Sequence, residues 1–149
     1  MTDWDQLLQQ AKGLLSVTSN RVSNAANLSA LLFSELPDIS WAGFYFVAGA
    51  TLLVGPFQGK PACVSIDLGK GVCGTAATSG KTICVANVDE FDGHIACDVA
   101  ARSEVVVPLY KEGKLLGVLD IDSTRLDRFK KADVKALETL AKIWLRSID

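Results

Sequence analysis

The residues able to do chemistry are thiols first. Cys63, Cys73, Cys84 and Cys97 include no Cys-x-x-Cys pair, so neither a zinc ribbon nor a thioredoxin-type redox pair is encoded. Cys97 lies three residues after His94, the single histidine, in the run Asp-Gly-His-Ile-Ala-Cys-Asp at 92–98. That pair reads either as nucleophile and base or, with Asp92 and Asp98 nearby, as a loop that His94 caps. Cys73 sits in Gly-Lys-Gly-Val-Cys-Gly, a glycine-broken turn. Thiols in polar, turn-rich segments are expected to be exposed enough to react, which points to thiol redox chemistry. Cys84, between Ile83 and Val85, reads instead as a buried small hydrophobe.

Carboxylates come second. Asp120 and Asp122 are two apart in a strand-like run, so they share one face while Leu119 and Ile121 take the other. Two adjacent acids repel, which raises at least one pKa and leaves a proton available near neutrality. A hairpin turning at Glu112-Gly113 would bring Glu104 near them. A regular two-residue turn sets Glu104 opposite Ile121, and a one-residue shift sets it opposite Asp120 or Asp122. The plainer reading is that these acids are solvent-facing strand positions, or that Asp122-Ser123-Thr124 simply begins a turn. Trp41, Gly43 and Tyr45 share a third face, with Ala42, Phe44 and Phe46 opposite. The glycine between two aromatics suits a small ligand, and an aromatic wall could hold a thioether methyl and a developing sulfonium-like charge; a second core layer under a helix is the alternative. Leu68-Gly69-Lys70-Gly71-Val72 resembles an anion-holding loop before a helix, without a Walker or GxGxxG pattern.

These groups must be positioned by a fold of 149 residues, enough for one domain, 1–149, with a self-sufficient core. Hydrophobic content of 49% and mean hydropathy of +0.26 describe a globular protein. Net charge of −2 and the lack of a basic run argue against nucleic acid as partner. The acidic start, without a signal peptide or a membrane-length apolar run, places the chain in the cytoplasm, where thiols stay reduced. Apolar spacing predicts helices over 4–15, over 20–36 (Asn20 as N-cap, Pro37 as stop) and over 131–148. A short helix over 72–78, capped by Gly80, is expected between strands. Strands are expected at 41–47 and 51–57, at 62–66 around Cys63, at 82–85 as a buried strand, and at 104–109 and 115–122. Between them, 87–101 is polar, with a possible helical turn at 94–97. The sum is an α+β fold: a six-stranded, mostly antiparallel sheet flanked by N- and C-terminal helices.

Five segments carry a more specific resemblance: Trp41-Ala42-Gly43-Phe44-Tyr45, Gly55-Pro56-Phe57-Gln58-Gly59-Lys60, Gly71-Val72-Cys73-Gly74-Thr75-Ala76, Phe91-Asp92-Gly93-His94-Ile95-Ala96-Cys97-Asp98 and Gly117-Val118-Leu119-Asp120-Ile121-Asp122-Ser123. Together they resemble the free methionine-(R)-sulfoxide reductases, which are single GAF-domain enzymes. The resemblance implies a GAF-like fold and a redox centre of Cys63, Cys73 and Cys97, with Cys97 attacking and Cys63 resolving. It implies a substrate pocket around Trp41, Glu104, Asp120 and Asp122, to which the aromatic face adds Tyr45. It implies reduction of free L-methionine-(R)-sulfoxide through a sulfenic acid and an intramolecular disulfide, recycled by thioredoxin or a glutaredoxin. No metal or organic cofactor is needed, and such enzymes are typically homodimers. Cys84 matches no family cysteine. The alternatives are a non-catalytic GAF sensor of a small ligand, for which a free-standing domain lacks an output region, and a thiol peroxidase using the same cysteines.

Overall fold

The computed structural model describes residues 2–97 and 99–149. The chain runs α1 (Trp4–Leu14), α2 (Arg21–Glu35), β1 (Trp41–Ala48), β2 (Thr51–Gly59), β3 (Ser65–Asp67), α3 (Gly71–Ser79), β4 (Ile83–Val85), β5 (Ser103–Lys111), β6 (Lys114–Ser123) and α4 (Lys131–Ser147). The local signals set most boundaries. The Asn20 side chain accepts from the Ser23 N–H and opens α2, and Gly80 closes α3 in the left-handed conformation.

The six strands form one antiparallel sheet in the order β3-β2-β1-β6-β5-β4. Strand alternation divides its side chains into two apolar layers. Ala42, Phe44, Val105, Val107, Leu119 and Ile121 face α1, α2 and α4, where Trp144 is wholly buried. Trp41, Tyr45, Val106 and Val118 face the other way, against Val72, Cys73, Ala76 and Ala77 of α3. Helices thus cover both faces, and α3 alone covers part of the face that carries the acids. No helix is long and apolar enough to cross a membrane.

Four local expectations are corrected. The strand over 62–66 begins only at Ser65, although Val64 O still accepts from Val54 N of β2. Cys63 therefore lies in a connection rather than a strand. The strand over 82–85 is the edge strand β4, with Ile83 and Val85 turned inward and Cys84 exposed. Cys84 is consequently not a core residue. The helical turn expected at 94–97 is instead a 3₁₀ turn at Val88–Glu90, which the Asn87 side chain opens by accepting from Asp89 N–H. Cys73 is not in an exposed turn: it lies inside α3, 5% exposed.

Candidate active site

The center of the site is one cavity of about 40 Å³ on the α3 face of the sheet. Its wall brings together Cys73, Cys97, His94, Trp41, Tyr45, Glu104, Asp120 and Asp122, with Cys63 bonded to Cys97, while Cys84, Gly43, Lys70 and Asp92 lie outside it.

Register places the acids. Tyr110 pairs with Leu115 around the Glu112-Gly113 turn, but the ladder slips between Leu109 and Tyr110. From Leu109 back to Ser103 each residue pairs one place later than a regular hairpin would allow, so Glu104 stands opposite Asp122 and Val106 opposite Asp120. The bulge has a large consequence, since a one-residue slip moves a whole strand's side chains across the sheet. With it, Glu104, Asp120 and Asp122 meet on one face. Glu104 is 8% and Asp120 4% exposed, so the solvent-facing reading fails. Burial, then the negative charge of Asp122 and Glu104, pushes the Asp120 carboxyl well above the usual carboxylate range. Asp120 Oδ1 has no hydrogen-bond partner among the described residues, and neither Glu104 nor Asp120 has a Lys or Arg partner there. The pocket wall itself contains no Lys or Arg.

Strand β1 supplies the aromatic wall. Trp41 stacks on Tyr45 at 5.7 Å and on Phe57 at 5.1 Å between ring centroids, and its indole N–H donates to Lys60 O at 3.1 Å. Gly43 does not open ligand space as expected. A Cβ there would lie 2.3 Å from the Phe57 Cβ, so the glycine makes room for Phe57 and lets that ring back Trp41. Trp41 and Tyr45 belong to the second core layer and line the cavity as well, so the two readings of their face hold together. Burial, with Asp120 next, raises the Tyr45 hydroxyl pKa, keeping it a protonated donor.

The thiols divide by environment. Cys63 and Cys97 are joined in a disulfide with Cα atoms 5.3 Å apart, inside the range such bridges span. Cys73 is free, and its thiol donates to Glu104 Oε2 at 3.9 Å. Burial, followed by the charges of Asp120, Glu104 and Asp122, holds that thiol well above its usual pKa. A thiol so placed is a poor nucleophile near neutrality. His94 and Ile95 close the cavity over Gly71 and Val72, and the Asp98 expected beside His94 lies outside the described residues. Ile95 and Phe57 were not singled out from the sequence, although both fall within the motif segments. The sulfur of Cys73 and one oxygen each of Glu104 and Asp120 lie within 4.8 Å of one another, a set able to hold a metal ion.

A family model for the GAF domain matches residues 23–143. The chain belongs to the GAF family. This GAF protein is similar to the free methionine-R-sulfoxide reductase of Escherichia coli, with 49% identity over 127 residues, covering 85% of this chain and 77% of that one. It is similar to the Saccharomyces cerevisiae protein of the same name, with 46% identity over 147 residues, covering 93% and 82%. Among solved structures, the free methionine-R-sulfoxide reductase of Neisseria meningitidis in complex with its substrate superposes with a TM-score of 0.94 at 40% identity, covering 97% and 87%. The resemblance carried by the five motif segments thus extends over nearly the whole chain, and the α+β GAF-like fold expected from it is the one observed.

Proposed function

We propose that this GAF protein, acting as a single domain over 1–149, reduces free L-methionine-(R)-sulfoxide to methionine with its own thiols. Two relatives that share nearly half its residues bear that enzyme's name, and a close structural neighbour was solved with its substrate. The observation that supports the reading most is local: a Cys63–Cys97 disulfide beside a pocket that gathers Glu104, Asp120 and Asp122 under Trp41. A redox-active pair needs a substrate site at its sulfur, and an amino-acid substrate needs anions for its ammonium group.

In this reading Asp122 and Glu104 pair with the ammonium, and the Trp41 face holds the S-methyl group. The start of α3, at Gly71 and Val72, turns helix N–H groups toward the carboxylate. In the reduced protein the Cys97 thiolate attacks the sulfoxide sulfur. Asp120, which retains its proton, donates it to the departing oxygen. The protonated oxygen passes from the substrate sulfur to the Cys97 sulfur, and the transient bond between the two sulfurs breaks with its electron pair going to the substrate. Methionine leaves, and Cys97 remains as a sulfenic acid. Cys63 displaces that oxygen as water and forms the disulfide. A dithiol donor of the thioredoxin or glutaredoxin class, available in the cytoplasm, restores both thiols. Cys73, protonated and bonded to Glu104, is a reserve resolver at most. The homodimer typical of such enzymes forms part of the same reading.

Thioredoxin-coupled turnover of resolved sulfoxide diastereomers tests it. Free L-methionine-(R)-sulfoxide is the expected substrate. The peptide-bound form should be rejected by about 10⁴-fold or more, because its amide leaves buried carboxylates unpaired. Comparable turnover of the peptide would sink the assignment.

A further inference from the structure

The relay proposed above runs through Cys97 and Cys63 and requires no step of Cys73, yet this thiol is aimed at the acids. Three further observations bear on it. The Cys73 sulfur and oxygens of Glu104 and Asp120 fall within 4.8 Å of one another, all on buried residues. Asp120 Oδ1, on a residue 4% exposed, has no hydrogen-bond partner among the described residues. No Lys or Arg lines the cavity to balance the negative groups. An ammonium ion would account for the carboxylates but makes no use of a sulfur. A thiophilic cation uses all three.

We propose that Cys73, Glu104 and Asp120 form a binding site for a divalent cation of the zinc class, and that a cation held there inhibits the enzyme by occupying the place of the substrate's ammonium group. Zinc takes thiolate and carboxylate ligands at about 2.0–2.3 Å in a tetrahedron, so its ligands stand about 3.5 Å apart. Cys73 Sγ and Glu104 Oε2 are 3.9 Å apart, and every pair in the set lies within 4.8 Å, so closing on an ion draws the ligands together by no more than about 1.3 Å. The ligands stand on α3, β5 and β6, elements fixed by two packed layers, so the cluster is assembled before any ion arrives. A thiolate in the set disfavours Mg²⁺ and Ca²⁺, which prefer oxygen ligands throughout. Binding releases the Cys73 and Asp120 protons and changes no oxidation state. The fourth position faces the cavity and is filled by water.

Binding is separable from activity, and only the inhibition rests on the function proposed above. Co²⁺ serves as the coloured stand-in for Zn²⁺, titrated into protein with the Cys63–Cys97 disulfide intact, so that neither of those sulfurs can ligate. One equivalent should develop a thiolate-to-cobalt charge-transfer band in the near ultraviolet, and Zn²⁺ should bleach it. Cys73→Ser should abolish the band. Asp120→Asn and Glu104→Gln should each weaken binding at least tenfold, and Cys84→Ser should leave it unchanged. A wild-type protein without the band overturns the site, as does a band that survives Cys73→Ser. In the reduced enzyme, assayed with a non-thiol reductant, Zn²⁺ should raise KM for the sulfoxide without changing kcat, and Cys73→Ser should remove that effect. Zinc held by the freed Cys63 and Cys97 thiols would leave the effect in place and overturn the inhibition at this site. Zinc that binds yet leaves turnover untouched overturns the inhibition. Failure of metal-free enzyme to turn over the sulfoxide counts instead against the proposed function.

Discussion

At the residue scale the site separates three thiols by what surrounds them. Cys73 is surrounded by carboxylates and held as a thiol, while Cys63 and Cys97 are already within bonding distance. Cys97→Ser should therefore yield no methionine even in a single turnover. Cys63→Ser should yield about one methionine per subunit and then stall, which rapid-quench product counting resolves. A full burst from Cys97→Ser together with none from Cys73→Ser would move the attacking role to Cys73. Asp120 makes a second prediction, on stability. Its folded pKa is raised by burial first and by Asp122 and Glu104 next. The unfolded chain therefore gives up this proton at lower pH than the folded one, and the buried carboxyl costs progressively more as pH rises above about 4. Asp120→Asn should be more stable than the parent at pH 7, with the gap closing toward pH 4. A gain of about 1 kcal/mol would appear as a Tm increase of about 2–4 °C. The same variant should lose sulfoxide reduction, since an amide cannot give the proton away.

At the scale of elements, what the sequence made legible was what local residues decide. Asn20, Pro37 and Gly80 punctuate helices by their own backbone and side-chain chemistry, and the observed α2 and α3 follow them closely. The face shared by Asp120 and Asp122 follows from alternation alone. What could not be read depended on partners distant in sequence. The slip at Leu109 and Tyr110 that turns Glu104 toward Asp122 is a property of two strands together. Cys84 lies on the same sheet face as Val105 opposite it, yet is exposed because β4 is the sheet's edge, a fact about strand order rather than about its neighbours Ile83 and Val85. Cys73 resembled a turn residue because glycines flank it, but those glycines serve packing. A Cβ on Gly74 would meet Asp67 O at 2.5 Å, so α3 lies directly against the end of β3. Gly74→Ala should push α3 and Cys73 away from β5 and β6. The expected cost is about 1–3 kcal/mol of overpacking, larger than the helix-propensity gain of about 1 kcal/mol. Urea unfolding measures it, and reductase activity should fall in the same variant. Cys84→Ser, by contrast, should be close to silent in both assays.

At the scale of the whole molecule, the two apolar layers have unequal tasks. The layer under α1, α2 and α4 holds Phe44, Leu119, Leu137 and Trp144 and contains none of the proposed chemical groups. The layer under α3 mixes core packing with the buried acids and thiols, so the buried carboxyl groups, Glu104 and Asp120, lie on one side of the sheet. The Cys63–Cys97 bridge ties this second side together. It closes a loop with a sequence separation of 34, which contains β3, α3, β4 and the 3₁₀ turn, while β5, β6 and all three helices of the first layer lie outside it. By the chain-entropy account, restricting the unfolded chain over that span stabilises the oxidised protein by about 3–4 kcal/mol. For a domain of this size each kcal/mol is about 2–4 °C in Tm, so oxidised protein should melt about 6–16 °C above the same protein after reduction. Cys63→Ser should melt with the reduced form and ignore added reductant. Equal melting of oxidised and reduced wild type would mean that the bridge does not restrict the unfolded chain as the entropy account requires. The difference should also be local, because the elements inside the loop are anchored to the sheet by α3 and the short strands alone. In the reduced state, amide hydrogen exchange should accelerate across 65–97 while β1, β6 and α4 keep their protection. Uniform acceleration over the whole chain would instead mean that the two layers unfold as one unit.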